Sequence, residues 1–311
     1  MITIGDIVIF LRDRGYQHIL IGDDRIRIEG YCQLSNLKSH HVSWAKNEDR
    51  LRAASFAQCK DVLIITGKEG HELPAGVCQI VCEKPKSVFF SIADHFFVEK
   101  PTHVISPYAI VESESLGRNV SIGHYSFISR DVVIEDGVVI GHHVTIECPA
   151  RIGEGTTIES GVTIGSDDLN CYQDEQGVLR RAPHTGGVAI GRYVYIGANT
   201  TIARGTIGDT VIEDHVNIGN LCLIAHNAHI QKHAMLTAMA CVAGSCILEE
   251  HVYVAPGAIT MNQKTIGKNS FIGMGAVVID HVPEGKVVAG VPAKIIRDNG
   301  QAAKGEIGDS V

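Results

Sequence analysis

The chain has 311 residues, 45% apolar and 20% charged, with 33 glycines against 9 prolines; that can build a core, which excludes a disordered chain, and the lack of a Gly-X-Y period excludes collagen. Twenty-seven Lys and Arg stand against 35 acids, a net charge of −8, which excludes a general nucleic-acid binder but not a local basic pocket for a phosphorylated small molecule. The nine cysteines form no Cys-x-x-Cys pair, and neither a basic leader nor an apolar run of about 18 residues appears, so we expect no metal site and a reduced, soluble, cytoplasmic protein with no membrane partner.

In chain order, residues 1–102 read as a small α/β domain. Asp6 is placed to cap a helix carrying Ile7, Phe10 and Leu11, ending near Gly15. Short apolar runs at Ile26–Ile28, Val62–Ile65 and Ile80–Cys82 predict strands, and Pro85 opens a second helix with Val88, Phe89, Ile92, Phe96 and Phe97.

Residues 103–282 carry a repeat. From Val104 an aliphatic residue returns every sixth position, through Ile110, Leu116, Ile122 and Ile128 to Ile164. The track resumes at Ile190, Ile196 and Ile202, slips by four residues, and runs again from Ile212 to Val278, weakest at Thr260. A small or β-branched residue precedes most of these by two, as Val132 precedes Ile134 and Ala228 precedes Ile230. Six fits neither a helix nor a plain alternating strand; it fits a short strand plus a turn. Three units, about eighteen residues, close one triangular coil, and stacked coils pair as parallel strands. The fold class is therefore mainly β, a parallel β-helix of hexapeptide repeats preceded by the small α/β domain. A β-sandwich would need irregular strand lengths and hairpins.

A polar loop, 166–187, is ejected from the coil track, as expected of a functional loop or a lid. After Val278 an irregular tail is expected, assigned to 283–311. The flat sides of a bare prism suggest a homotrimer with clefts between subunits.

The runs Gly-Ala-Asn-Thr-Thr-Ile-Ala-Arg-Gly (197–205), Gly-Asp-Thr-Val-Ile (208–212), Ile-Ala-His-Asn (224–227) and Val-Ala-Gly-Ser (242–245) resemble the UDP-3-O-acyl-glucosamine N-acyltransferases. So does the loop opening Ile-Gly-Ser-Asp (164–167) and closing Pro-His-Thr-Gly-Gly-Val (183–188). The resemblance implies a left-handed coil, a trimer, a nucleotide-binding N-terminal domain, and an acyl-donor groove between neighbouring prisms. It makes His226 the catalytic base, Gly244 the oxyanion donor through its N–H, and Asn220 a neighbour of the base. Physical reasoning agrees on His226, because amide formation needs a group that takes a proton from the attacking amine. Gly244 follows His226 by eighteen residues, one full coil. Within Ser-Trp-Ala-Lys-Asn (43–47), Trp44 is implied to stack on the base and Asn47 to bond near it. Gln263, its neighbour Asn262, and His184 are further substrate-binding candidates.

The chain also departs from the family. Gly219 stands where an aspartate is usual, leaving open what orients the His226 ring; Gln263 replaces a histidine, and Ala203 an aspartate. A long C-terminal helix that docks acyl carrier protein is replaced by Val-Val-Ala-Gly-Val-Pro-Ala-Lys-Ile-Ile-Arg (287–297), similar to the ending of coenzyme-A-dependent hexapeptide sugar acetyltransferases. Lys294 and Arg297 are thus candidates for the phosphates of coenzyme A. The resulting expectation is transfer from acyl-CoA, a co-substrate and not a bound cofactor, to a nucleotide-linked amino sugar for surface polysaccharide. The alternatives are the lipid A enzyme, using acyl carrier protein, and a non-catalytic nucleotide-sugar-binding trimeric scaffold. The spacing His226-x2-His229-x3-His233 resembles a metal site, but these residues fall on different parts of a coil.

Overall fold

The computed structural model describes residues 2–52, 54–56, 59–67, 73–74, 76–99 and 102–300, the side chain of Glu48 excepted. The chain divides into two compact units, Met1–Lys100 and Pro101–Val311.

The first unit is a five-stranded sheet in the order His18–Ile21, Val77–Cys82, Val62–Thr66, His41–Trp44, Gly30–Tyr31; the first pair is antiparallel and the rest are parallel. Val62–Thr66 is buried along its length. Leu63 and Ile65 pack with α1 (Ile4–Asp13) and α3 (Pro85–Phe96), whereas Val62 and Ile64 pack with Leu51 of the short α2 (Glu48–Arg52). This two-sided burial is why the run lacks polar alternation. α1 buries Ile4, Ile7, Phe10 and Leu11, but its cap is Thr3, not Asp6. Thr3 Oγ1 accepts from the Asp6 N–H (3.2 Å) and Asp6 Oδ2 accepts from the Thr3 N–H (2.8 Å), a reciprocal capping box. These bonds to Thr3 hold the Asp6 carboxyl below its ordinary range. His18–Ile21 and His41–Trp44 are strands that the sequence reading did not assign.

The second unit is a three-sided prism of parallel strands. A first face runs from Ser121–Ile122 to Lys286–Ala289, a second from Ile110–Val111 to Val277–Val278, and a third from Ser115–Leu116 to Thr265–Ile266. Successive strands visit the three faces in turn. Ile224 pairs with Val242 and Leu236 with Val254, one coil of eighteen residues. The sixfold track faces inward, with Ile128, Ile146, Ile164, Ile202, Ile218 and Val242 all fully buried. Only the start departs, for Val104 is 58% and Ile110 62% exposed. Buried hydroxyls serve as pegs between coils: Thr200 Oγ1 donates to Gly219 O (2.8 Å) and accepts from the Cys222 N–H (3.1 Å).

The tail is more regular than expected. Lys286–Ala289 extends the first face, and Lys294–Asp298 folds back on it as an antiparallel strand. The adjacent Val287 and Val288 are both buried, with a break in the pairing register between them. Residues 301–311 lie outside the described residues.

Candidate active site

One edge of the prism, between the second and third faces, carries two insertions. The first is the excursion between Thr163–Ser166 and Val188–Ile190; the second is the four-residue slip between Thr201–Ala203 and Thr210–Ile212. The excursion is a β-hairpin, Cys171–Gln173 against Leu179–Arg181, with both strands exposed. Its return segment lies along the slip, where the Thr185 N–H donates to Thr206 O (2.7 Å) and the Gly186 N–H to Gly205 O (3.0 Å).

His226 stands on this edge one coil beyond the slip, half-buried. Its Nδ1 lies 3.1 Å from Oδ1 of Asn227. The orientation of that amide is fixed by the backbone: Asn227 Oδ1 accepts from the Thr206 N–H (3.1 Å) and Oγ1 (2.7 Å), while Nδ2 donates to Gly208 O (2.8 Å). An amide oxygen only accepts, so the neutral His226 ring carries its proton on Nδ1 and keeps a lone pair on Nε2. The Asn227 backbone, at φ 58°, takes the left-handed conformation that asparagine tolerates well. Asn227 thus supplies the orientation that Gly219 left open, and the sequence reading missed it.

Gly244 stands where the eighteen-residue offset puts it. A Cβ built there would lie 2.5 Å from His226 Nε2 and 2.8 Å from Cε1, so the ring packs on the space the missing side chain leaves. Among the described residues the Gly244 N–H has no acceptor, while its carbonyl accepts from the Gln263 N–H (2.9 Å). Gln263 and Asn262 therefore sit on the same edge, one coil further on. Gln263 adopts φ 60°.

Two residues of the hairpin complete the edge. Asp168 Oδ2 accepts from the His226 N–H (3.1 Å), pinning the loop beside the ring. The Asp168 carboxylate also reinforces the upward shift of the Cys241 thiol, which burial chiefly causes. Asp168 was not foreseen, because a carboxylate 58 positions away carries no signal in the repeat. His184 is 6% exposed and meets the His226 ring edge to face, at 5.7 Å between centroids.

Other expectations separate from this edge. Asn220 follows Asn217–Ile218 of the first face, so within one chain it lies on the neighbouring edge; its Oδ1 accepts from the Ala198 N–H (2.9 Å). Lys294 and Arg297 are exposed on the closing hairpin. Their strand lies five steps along the first face from Asn217–Ile218, the strand that opens the coil of His226, about 24 Å along the axis. His229 pairs with Glu213 (2.7 Å) on the third face, and His233 stacks between His215 and His251 on the third edge, apart from His226. Cys222 and Cys246 are buried in the inward track.

In the first unit, Trp44 is half-buried and packs on Phe89 (6.3 Å), and it also walls a cavity of about 420 Å³ with Gln33, Leu34, Ser35, Lys46, Arg50 and Ala54. Asn47 caps α2, its Oδ1 accepting from the Arg50 N–H (3.0 Å).

Comparisons with known proteins bear on the family and the fold. Residues 115–148 and 131–166 match the bacterial transferase hexapeptide (six repeats). The UDP-3-O-acylglucosamine N-acyltransferase of Herminiimonas arsenicoxydans is 30% identical, covering 90% of this chain and 85% of that protein. Its counterpart from Albidiferax ferrireducens is 36% identical, covering 83% and 79%. The chain belongs to the UDP-3-O-acylglucosamine N-acyltransferase family. Among solved structures, the UDP-N-acetylglucosamine acyltransferase of Campylobacter jejuni superposes with a TM-score of 0.58 at 24% identity, covering 66% of this chain and 79% of that one; this likeness concerns the fold. As an N-acyltransferase of this family the protein is an enzyme with the left-handed β-helix of hexapeptide transferases. The relatives' shared name favours the lipid A alternative over surface polysaccharide. No helix among the described residues is long and apolar enough to cross a membrane.

Proposed function

We propose that this N-acyltransferase moves an acyl group from a thioester to the free amine of UDP-3-O-acylglucosamine, with His226 as general base. The observation that carries the reading is the His226 ring, its Nδ1 proton held by Asn227 and its Nε2 packed over Gly244. The amine nitrogen attacks the thioester carbonyl carbon as Nε2 takes one of its protons. The carbonyl oxygen becomes an oxyanion within reach of the Gly244 N–H, which has no other acceptor among the described residues. Collapse breaks the C–S bond, and His226 returns the proton to the leaving sulfur, giving amide and thiol.

For the acceptor, the Trp44 cavity offers an aromatic wall for a base, and Lys46 and Arg50 offer positive charge for a diphosphate. Asn262 and Gln263 line the same edge beyond Gly244 and are assigned to the sugar. Asn220 lies on the neighbouring edge of its own chain, so it is assigned to the site of an adjacent subunit in a homotrimer. The carrier of the thioester is decided by assay: UDP-3-O-acylglucosamine is offered with acyl-CoA and with acyl carrier protein, following free thiol and amide. Saturable amide formation with either carrier supports the reading and identifies the donor. Tight nucleotide binding without thioester consumption would favour the non-catalytic scaffold instead. His226→Ala is expected to lower kcat about 10²–10⁴-fold, and full activity in that variant would remove the base from the mechanism.

A further inference from the structure

The hairpin brings a second imidazole to His226, and its hydrogen bonding is unusual. His184 Nδ1 lies 3.1 Å from the carbonyl oxygen of Ala182. A carbonyl only accepts, so the neutral ring carries its proton on Nδ1 and shows a lone pair at Nε2. That Nε2 is buried and has no hydrogen-bond partner among the described residues. A buried acceptor left unpaired costs stability, so its persistence points to a ligand that donates to it. His226 is fixed in the same tautomer by Asn227 Oδ1. Two imidazoles, each with Nδ1 committed to an oxygen and Nε2 an acceptor in that tautomer, thus meet edge to face at 5.7 Å.

Resting on the transfer reaction above, we propose that His184 and His226 form a two-acceptor cradle that selects a primary amine over a hydroxyl as the nucleophile. A primary amine has two N–H groups and one lone pair. It can donate one hydrogen to each imidazole and still aim the lone pair at the thioester carbon. The hydrogen given to His226 leaves as the proton it takes; the one held by His184 stays on nitrogen and becomes the N–H of the product amide. His184 therefore orients the nucleophile and takes no proton. A hydroxyl has one hydrogen, so binding it leaves one buried acceptor unpaired, a loss of about 10–100-fold.

The test compares UDP-3-O-acylglucosamine with the same nucleotide sugar bearing a hydroxyl in place of the amine, at one thioester donor. His184→Phe keeps a ring of similar shape and removes the acceptor. We expect kcat/KM on the amine to fall about 10–100-fold while the slower hydroxyl reaction is little changed, so that the amine-to-hydroxyl ratio falls. His184→Gln, whose amide oxygen can accept, is expected to restore part of that ratio. A ratio that stays at the wild-type value in both variants overturns the proposal, as does an equal loss on both substrates. An independent reading uses the wild-type protein labelled with ¹⁵N at histidine and titrated with the amino sugar nucleotide without thioester. The Nε2 signals of both rings should move with the amine, and that of His184 should stay still with the hydroxyl analogue. If His184→Phe does not fold, this titration decides. Paired shifts in a protein that never consumes thioester would keep the cradle and sink the transfer reaction, whereas turnover with an unmoved His184 signal would do the reverse.

Discussion

At the residue scale, the site is made by one side chain present and one absent. Gly244 adopts no left-handed backbone, so alanine is compatible with its conformation. The added methyl would nevertheless sit 2.5 Å from His226 Nε2. The ring must swing away, and a misplacement of about 1 Å costs on the order of 10²-fold in rate. Gly244→Ala is therefore expected to lose about that much kcat, with a thermal midpoint within a few degrees of the parent; steady-state kinetics beside thermal unfolding checks both. Unchanged kcat would show that the packing of ring on glycine has no part in the rate. The stacking of His226 on Gly244 was legible in the sequence because the repeat counts coils, and eighteen residues return the chain to the same edge. The partners of His226 were not. Asn227 acts only because the slip folds Thr206 and Gly208 against it, and His184 arrives only through the hairpin. Both segments are aperiodic, so no spacing rule reaches them. The hints available were an asparagine next to the histidine at a coil corner and the motif that made His184 a substrate-binding candidate, neither of which placed its residue against the His226 ring.

Elements show the same division between periodic and local signals. The strands of the prism follow from a six-residue count, whereas the cap of α1 was misassigned to Asp6. An acid within the first turn looks like a cap in sequence, and only the bonds with Thr3 distinguish the third helical position from the cap itself. Within the irregular tail expected after Val278, Lys286–Ala289 and Lys294–Asp298 are strands, because a single closing hairpin has no repeat to announce it. A column on the third edge carries a prediction of its own. Tyr193, His215, His233, His251 and Asn269 all have φ between 54° and 61°, and the four rings stack at 5.4, 5.1 and 4.9 Å. Partial burial, then the neighbouring His251 and His215, hold the His233 pKa below its ordinary value of 6.5; Glu250 opposes this and Lys232 adds to it. Just below the ordinary value the unfolded chain binds more protons, so stability rises with pH there. The contribution is complete above 6.5 and is lost as pH falls through the lowered folded value. Asparagine already holds the same backbone conformation at position 269, so His233→Asn should fold. It should show a smaller drop in thermal midpoint between about pH 7.5 and 5.5 than the parent. An identical drop in both proteins would take His233 out of the acid sensitivity.

Across the whole molecule, the narrow interior sets what the coils accept. In the coil that follows His226, one alanine from each face meets the axis: Ala228, Ala234 and Ala240, each at most 1% exposed. Earlier coils place Val132, Val138 and Val144 at the equivalent positions. Ala234→Leu forces three extra carbons into a closed cross-section, and overpacking of this kind costs about 1–3 kcal/mol; a lower denaturant midpoint with an unchanged slope would register it. Because each coil touches only its neighbours, the strain should stay local and leave the nucleotide binding proposed for the first unit unaltered. The uniform winding also constrains how such a chain can change over evolution. Adding a complete lap of eighteen residues beyond Asn262 would lift the closing hairpin by about 4.8 Å and leave His226 facing Gly244. Losing a single hexad between those two would instead turn every later residue by a third of a revolution and carry the glycine to a different edge. Insertions between those two are thus tolerated as whole laps or as bulges thrown clear of the wall, and both insertions in this prism are of the second kind.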